Sequence, residues 1–376
     1  MRSFIRSIRI SLVLPALAMV SVTSYPQNAG VTLGGHFVPK DSFMVFIDMG
    51  NSAMSGRDKQ ADTVTEGHVW KFEMDPANYD WLPAKEPICV DNYQSIANPW
   101  GGPIMPFLKR LHANYPNYYF GVMQLSNSGW ELWGNFNAGS GAVTALLTQA
   151  NILKANVTIA GIVSMLNNVE VQYKDTLNYL QHVADMVGNV RTSLGALQYK
   201  GAAYTVPYIH AGYPVEAKDS PDGKIQYDTS HAQTKSIMRQ IAQVPAKVSN
   251  CVIIPTDGLT VCMTCTPANY FDHYDRAGNV GWGNRTADTV LARNWIPPCP
   301  NCVGVTTSLH QVAAVHSIAL QKILFGGTNW SVFDKAGKSF NVYSPNGRAI
   351  TGMSTVVLRN QKLPPGVYFV RPELKN

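Results

Sequence analysis

Two groups of residues have types and spacing that could do chemistry. The first is Ser52, in "FMVFIDMGNSAMSGRD", where the apolar run Phe43–Asp48 breaks at Gly50-Asn51. A serine hydroxyl becomes a nucleophile when a base takes its proton and N–H donors face the developing oxyanion. A sharp strand-to-helix turn exposes the hydroxyl and aims N–H groups and the helix dipole at one point. Gly50 permits the turn, and Gly56 lets the next backbone pass closely. The pattern is not G-x-S-x-G, because Met54 stands last. On local physics alone, Ser52 reads by default as the N-cap of the next helix.

The second group is Cys262, Cys265, Cys299 and Cys302, two C-x2-C pairs among six cysteines. Four thiolates can hold a tetrahedral zinc, or the cysteines can form disulfides; an even count behind an export signal favours disulfides. Two further candidates have bland readings beside them. His210 in "YIHAGYP" can face a site from a strand end or be packed in the core. Trp130 and Trp133 in "SGWELWG" can stack on a sugar ring or simply pack. His310 and His316 read as ordinary histidines.

These residues need a scaffold. Apolar runs at Phe43–Asp48, Tyr118–Ser126, Val157–Met165, Tyr204–Gly212 and Cys251–Pro255 alternate with helical patterns at Pro103–Tyr115, 141–153, roughly 174–197 and 231–244. Leu177, Leu180, Val183, Val187, Val190 and Leu194 form the buried stripe expected of the longest helix. Strands buried on both faces read as continuous apolar runs, so this order predicts an α/β fold with a doubly wound, mainly parallel five-stranded sheet flanked by helices, a flavodoxin-like three-layer sandwich. Ser52 falls just past the carboxyl end of the first strand, where such folds build active sites.

Residues 1–24 read as a signal peptide: Arg2, Arg6 and Arg9 precede the short apolar stretch Ile10–Val22. No stable membrane insertion is expected once it is removed, and the destination is secreted or cell surface. The 376-residue chain is 45% hydrophobic, enough for one sizeable core and a smaller appendage. Its formal charge of +6 falls to +3 without the three leader arginines. That weak bias, with no dense basic run, excludes an evident nucleic-acid partner. The expected organisation is a main domain over 30–305, a helical linker over 306–329 and a small β-rich C-terminal appendage over 330–376. In the appendage, "FNVYSPNGRAITG" and "PPGVYFVRPE" resemble the C-terminal sorting modules of some bacterial secretion systems.

The block "MGNSAMSGR" is similar to the "G-Q-S-N-M-A-G-R" block of carbohydrate acetylesterases and sialate O-acetylesterase-like proteins, within the SGNH (GDSL-like) hydrolase superfamily. Further blocks follow in the family's order. They are "PWGGPIMPFLKRLHANYPNYYFGVMQLSNSGWELW", "IAGIVSMLNNVEV" against "I-K-G-I-L-W-x-Q-G-E-S-D", and "FDHYDRAGNVGWGNRTADTV" against "D-x-x-H-x-x-x-x-G-x-x-x-x-G-x-R-x-A". The resemblance spans roughly residues 40–292. It implies a nucleophile at Ser52, a base at His273 and an oxyanion N–H from Gly102. Asn51 replaces the family's Gln, Leu166-Asn167-Asn168 replaces Q-G-E, and Tyr270 stands where the family has the acid. Asn167 or Asn168 then becomes the expected amide donor to the oxyanion beside Ser52 N–H. Asp272 becomes the expected orienting acid, with Asp257 or a plain Ser-His dyad as alternatives.

The implied function is a secreted serine esterase that removes acetyl or similar acyl groups from carbohydrates, with no metal or cofactor. The implied partner is an acylated carbohydrate, held by Trp130 and His210. The altered Q-G-E and D-x-x-H elements leave a second reading, a non-catalytic glycan-binding or structural surface protein.

Overall fold

The computed structural model describes residues 29–89, 99–166, 168–173, 176–199, 202–219, 226–262 and 272–296, together with four backbone strands further on. The chain divides into two compact units, Met1–Cys299 and Pro300–Asn376.

In the first unit, β1 (Gly30–Leu33) and β2 (His36–Pro39) form a hairpin. Then come β3 (Phe43–Gly50), α1 (Ser52–Ser55), β4 (Val69–Glu73), β5 (Asp80–Pro83), α2 (Ile104–Asn114) and β6 (Tyr119–Ser126). α3 (Leu132–Asn135), α4 (Gly141–Leu153), β7 (Thr158–Met165), α5 (Asn168–Tyr173) and α6 (Tyr179–Leu194) follow. The unit continues with the hairpin β8 (Leu197–Tyr199) and β9 (Ala202–Tyr204), then β10 (Tyr208–Ala211), α7 (Ala232–Lys247), β11 (Cys251–Ile254) and α8 (Arg276–Ala292).

The central sheet has the order β11-β10-β7-β3-β6-β4-β5. All its pairings are parallel except β4 with the edge strand β5. β3 lies in the middle with all eight residues buried. Its two faces serve two helical layers. Phe43, Val45, Ile47 and Met49 join the cluster formed with Leu146, Val183, Val187 and Ile241 of α4, α6 and α7. On the other face Phe46 packs edge-on against Phe107 of α2, with ring centroids 4.8 Å apart, and α2 packs on α8. Each fully buried side chain of this kind contributes about 1.5–3 kcal/mol relative to exposure, so apolar alternation on β3 fixes both layers at once.

The sheet has seven strands, two more than the apolar runs predict. β4 reads "VWKFE", with half-buried Lys71 and Glu73 between buried residues, and β5 is a four-residue edge strand. Neither presents a continuous apolar run. The long helix begins at Tyr179, and Leu177 is 83% exposed, so the buried stripe starts one turn later than its leucines imply. The strand expected over Tyr204–Gly212 is only Tyr208–Ala211. Tyr204 belongs to the β8–β9 hairpin instead, and its hydroxyl donates to Ile159 O over 2.7 Å.

In the second unit β12 (Gln321–Phe325), β13 (Ser339–Tyr343), β14 (Ala349–Ser354) and β15 (Gly366–Pro372) form an antiparallel sheet of order β12-β15-β13-β14. β12 falls inside the segment expected to be a helical linker. Its backbone is paired with β15, and a ladder partner overrides the helical pattern of "QKILF". Residues 1–24, His310 and His316 lie outside the described residues. No described helix is long and apolar enough to cross a membrane.

Candidate active site

The turn after β3 is capped by Asn51, not by Ser52. Asn51 is extended (φ −98°, ψ −156°), and its Oδ1 accepts from Ala53 N–H over 3.1 Å. Ser52 is therefore the first residue inside α1. Its own N–H has no acceptor within the helix, and its hydroxyl is not used for capping. Gly50 is required here, because a Cβ would lie 2.3 Å from Met54 Cβ. Gly56, at φ +92°, lets the next loop press in; a Cβ there would lie 2.0 Å from Gly101 O. Arg57 is buried beneath that loop, with its guanidinium 5.4 Å from the centre of the Trp100 ring.

Ser52 Oγ lies 2.6 Å from His273 Nε2, and His273 Nδ1 lies 2.7 Å from Asp272 Oδ1. An ionised carboxylate accepts only, so Nδ1 carries the proton and Nε2 accepts from the serine hydroxyl. All three side chains are buried, with Ser52 the most open at 7%. His273 reaches Ser52 because its carbonyl accepts from Cys262 N–H over 2.7 Å and Tyr274 bridges to Val261. Asp272, the acid expected from the sequence, thus meets Nδ1 from the position adjacent to the histidine. Asp275 caps α8 by accepting from Gly278 N–H over 2.8 Å, and it also accepts from Thr260 Oγ1.

Burial alone would push the Asp272 carboxyl up. The adjacent His273 and the Asn168 amide outweigh that and hold it below its ordinary value. Asn168 Nδ2 donates to Asp272 Oδ2 over 2.6 Å, and Asn168 Oδ1 accepts from Asn51 Nδ2 over 2.7 Å. The amide expected at the oxyanion is instead behind the acid. Asn167 lies outside the described residues. Leu166, at the place of the family's Gln, is fully buried and offers no side-chain donor.

Gly102 is also placed differently from expectation. Its N–H donates to Glu86 Oε1 over 3.0 Å. Glu86 is buried, accepts from Asp62 N–H, and pairs with Arg276 Nη1 at 3.1 and 3.0 Å. Burial pushes its carboxyl up to about 7 against the pull of these donors. Nothing in the sequence around Glu86 marks it, since its partners come from remote segments.

The expected sugar contacts lie elsewhere. His210 is fully buried, and burial lowers its pKa to about 3, so its ring is neutral. Its Nε2 meets Tyr179 Oη at 2.6 Å; its Nδ1 meets Ser164 Oγ at 2.8 Å and Tyr208 Oη at 3.0 Å. Tyr179 donates its own proton to Leu166 O over 2.5 Å. Nε2 therefore carries the ring proton, and His210 serves the core under the β7–α5 loop rather than a substrate. Trp130 is half-buried and packs edge-on against Phe136 at 5.6 Å. Trp133, three residues on, is 55% exposed. Cys89 and Cys251 are thiols rather than disulfide partners, so the even cysteine count does not mean that all six pair. Cys265, Cys299 and Cys302 lie outside the described residues.

Residues 42–292 match the model of a family described as carbohydrate esterase, sialic acid-specific acetylesterase. The chain belongs to that family. Solved structures agree on the fold. A protein of Arabidopsis thaliana is 17% identical, with 68% of this chain and 99% of that one covered at a TM-score of 0.50. NanS is 13% identical, with 68% and 98% covered at a TM-score of 0.51. No curated protein matches.

Proposed function

We propose that this chain is a secreted carbohydrate esterase that removes acetyl or similar acyl groups from a carbohydrate by a Ser-His-Asp mechanism. The observation that carries this is the continuous hydrogen-bonded line Ser52–His273–Asp272 at the carboxyl end of the central strand. Ser52 Oγ attacks the ester carbonyl carbon while His273 Nε2 takes the hydroxyl proton. The tetrahedral oxyanion collapses, the C–O bond to the sugar breaks, and His273 returns the proton to the leaving sugar oxygen. Water then attacks the acyl-serine with His273 again as base, releasing the acid and restoring Ser52. Asp272 fixes the tautomer and stabilises the imidazolium.

Ser52 N–H is the oxyanion donor that the described geometry supports. Gly102 N–H joins it only if Glu86 lets go. The export signal over 1–24, disulfide pairing within the C-x2-C motifs and a sorting role for the C-terminal sheet belong to the same reading.

The engaged Gly102 and the apolar Leu166 favour one alternative, a glycan-binding protein on an esterase scaffold. Release of acetate from aryl acetates and acetylated polysaccharide, by the protein and by Ser52→Ala, decides between them. Turnover lost in Ser52→Ala supports the esterase; equal turnover in both overturns it.

A further inference from the structure

A cavity of about 490 Å³ opens between α3 and α6. That volume lies within the range of small-molecule sites, roughly 300–1,000 Å³. One wall is the α3 segment, with Trp133 and Asn137; the other is α6, with His182, Asp185 and Asn189. Trp133 is more than half exposed, although large aromatic residues normally bury their faces.

The Trp133 ring is also held in place. One face stacks on His182, with centroids 4.6 Å apart and planes 24° from parallel. Asn137 pins the chain beneath it: its Nδ2 donates to Trp133 O at 2.6 Å and Gly134 O at 3.2 Å, while its Oδ1 accepts from Gly139 N–H. An exposed aromatic already fixed in one rotamer loses little entropy when a flat ligand stacks on it.

Both walls are tied to the segment after β7, through Leu166 and through α5, which begins at Asn168. Leu132 N–H, at the start of α3, donates to buried Glu170 Oε1 over 2.6 Å. Tyr179, at the start of α6, donates to Leu166 O. The α3 segment leaves the sheet from Ser126, which is in register with Gly50 beside the nucleophile. The cavity therefore belongs to the carboxyl-end face of the sheet, the face of Ser52.

Its chemistry points to one ligand class. The apolar face of a pyranose ring fits an indole, and its hydroxyls fit the carboxylate and amide side chains of Asp185 and Asn189. Asp185 is the one charged side chain among the described lining residues, and there is no Lys or Arg to meet an anion. A carboxylate-bearing sugar is disfavoured by that like charge.

We propose that this cavity is a glycan subsite that takes an uncharged hexopyranose ring stacked on Trp133. It deepens the reading of an acylated-carbohydrate substrate and moves substrate recognition from Trp130 and His210 to the α3–α6 cavity.

The test is calorimetric titration of the full chain with neutral hexa-oligosaccharides of glucose, mannose and galactose, and with sialyllactose as the anionic control. Binding is read without turnover, so failure of the esterase chemistry leaves the test intact. At least one neutral oligosaccharide is expected to bind, at least tenfold more weakly to Trp133→Ala and with most affinity kept in Trp133→Phe. Asp185→Asn is expected to narrow the preference for the neutral sugar over sialyllactose. Circular dichroism confirms that the variants fold. Absence of any neutral-sugar binding, equal binding by Trp133→Ala, or stronger binding of sialyllactose to the unaltered protein overturns the proposal.

Discussion

Asn168 Nδ2 donates to Asp272 Oδ2 over 2.6 Å, and the same amide accepts from Asn51, the residue before Ser52. Ala53 N–H donates to Asn51, Asn51 to Asn168, and Asn168 to Asp272. Every bond in this chain points toward the carboxylate, so each polarises the next. The carboxylate behind the His273 imidazole and the cap beside Ser52 are thereby coupled through two side-chain amides.

Asn168→Leu removes the middle of that chain. A hydrogen bond to a charged group is worth about 1.5–3 kcal/mol, which corresponds to roughly 10- to 150-fold in rate. A fall of that size in kcat/KM on an aryl acetate is expected. Asn168→Asp sets two carboxylates face to face, and the added negative charge also favours the imidazolium. The acid limb of the pH–rate profile then moves to higher pH. An unmoved limb would mean that Asn168 acts only as packing.

Asp272→Asn tests the acid itself. The amide can donate to Nδ1 and stabilise the wrong tautomer, and the corresponding change in a serine protease costs about 10⁴ in kcat. A drop of similar order is expected, with the fold retained. The stability profile gives a second readout. Because the folded carboxyl lies below its ordinary value of 3.8, its contribution is present above that pH and is lost as pH falls through the folded value. Chemical denaturation of Asp272→Asn should therefore show a shallower loss of stability on the acid side.

The central fold was legible because β3, β6 and β7 are long apolar runs, and a parallel strand buried on both faces needs such a run. β4 and the edge strand β5 carry Lys71, Glu73 and Asp80 and give no such signal. Ser52 stood out by its turn. Asp272 was named with Asp257 and a plain dyad beside it, because sequence separation says little about where a side chain points once Tyr274 is bridged to Val261. Asn51 and Asn168 looked like two separate departures from the family pattern. Their contact, 117 positions apart, is visible only in three dimensions. His210 misled for a related reason. A histidine at a strand end suits a site, and only Tyr179, Tyr208 and Ser164 around it reveal a neutral core group.

Glu86 holds Gly102 N–H, so its charge matters for both stability and the loop beside Ser52. Burial raises its carboxyl from 4.5 to about 7. The folded state therefore keeps the proton longer than the unfolded one. Its contribution is fully present below about 4.5 and is lost as pH rises through about 7. The loss is on the order of 3 kcal/mol. Glu86→Gln should flatten the stability profile between those pH values in urea melts. An unchanged slope would show that the group ionises freely in the fold.

Asp48 raises the same question in the middle of β3, four residues before Ser52. It is wholly buried on the face of Phe46, opposite Gln124 in register. Burial pushes its carboxyl well above the ordinary range, and the Gln124 amide offsets only part of this. The balance shifts the buried group toward its neutral form. Gln124 Nε2 in turn donates to Met54 O in α1 over 3.3 Å, joining the pair to the helix that presents Ser52. Asp48→Asn copies the shape of the neutral acid and should leave stability near pH 4 little changed. As pH rises, the unfolded aspartate ionises while the folded one resists, so the unaltered protein should lose stability relative to Asp48→Asn. Asp48→Leu instead puts a branched apolar side chain where two carboxyl oxygens lie buried without a hydrogen-bond partner among the described residues, and so disturbs the packing beside Gln124. It should also slow labelling of Ser52 by a fluorophosphonate probe. Parallel stability profiles for the aspartate and asparagine forms from pH 4 to 9 would show that Asp48 is charged in the fold.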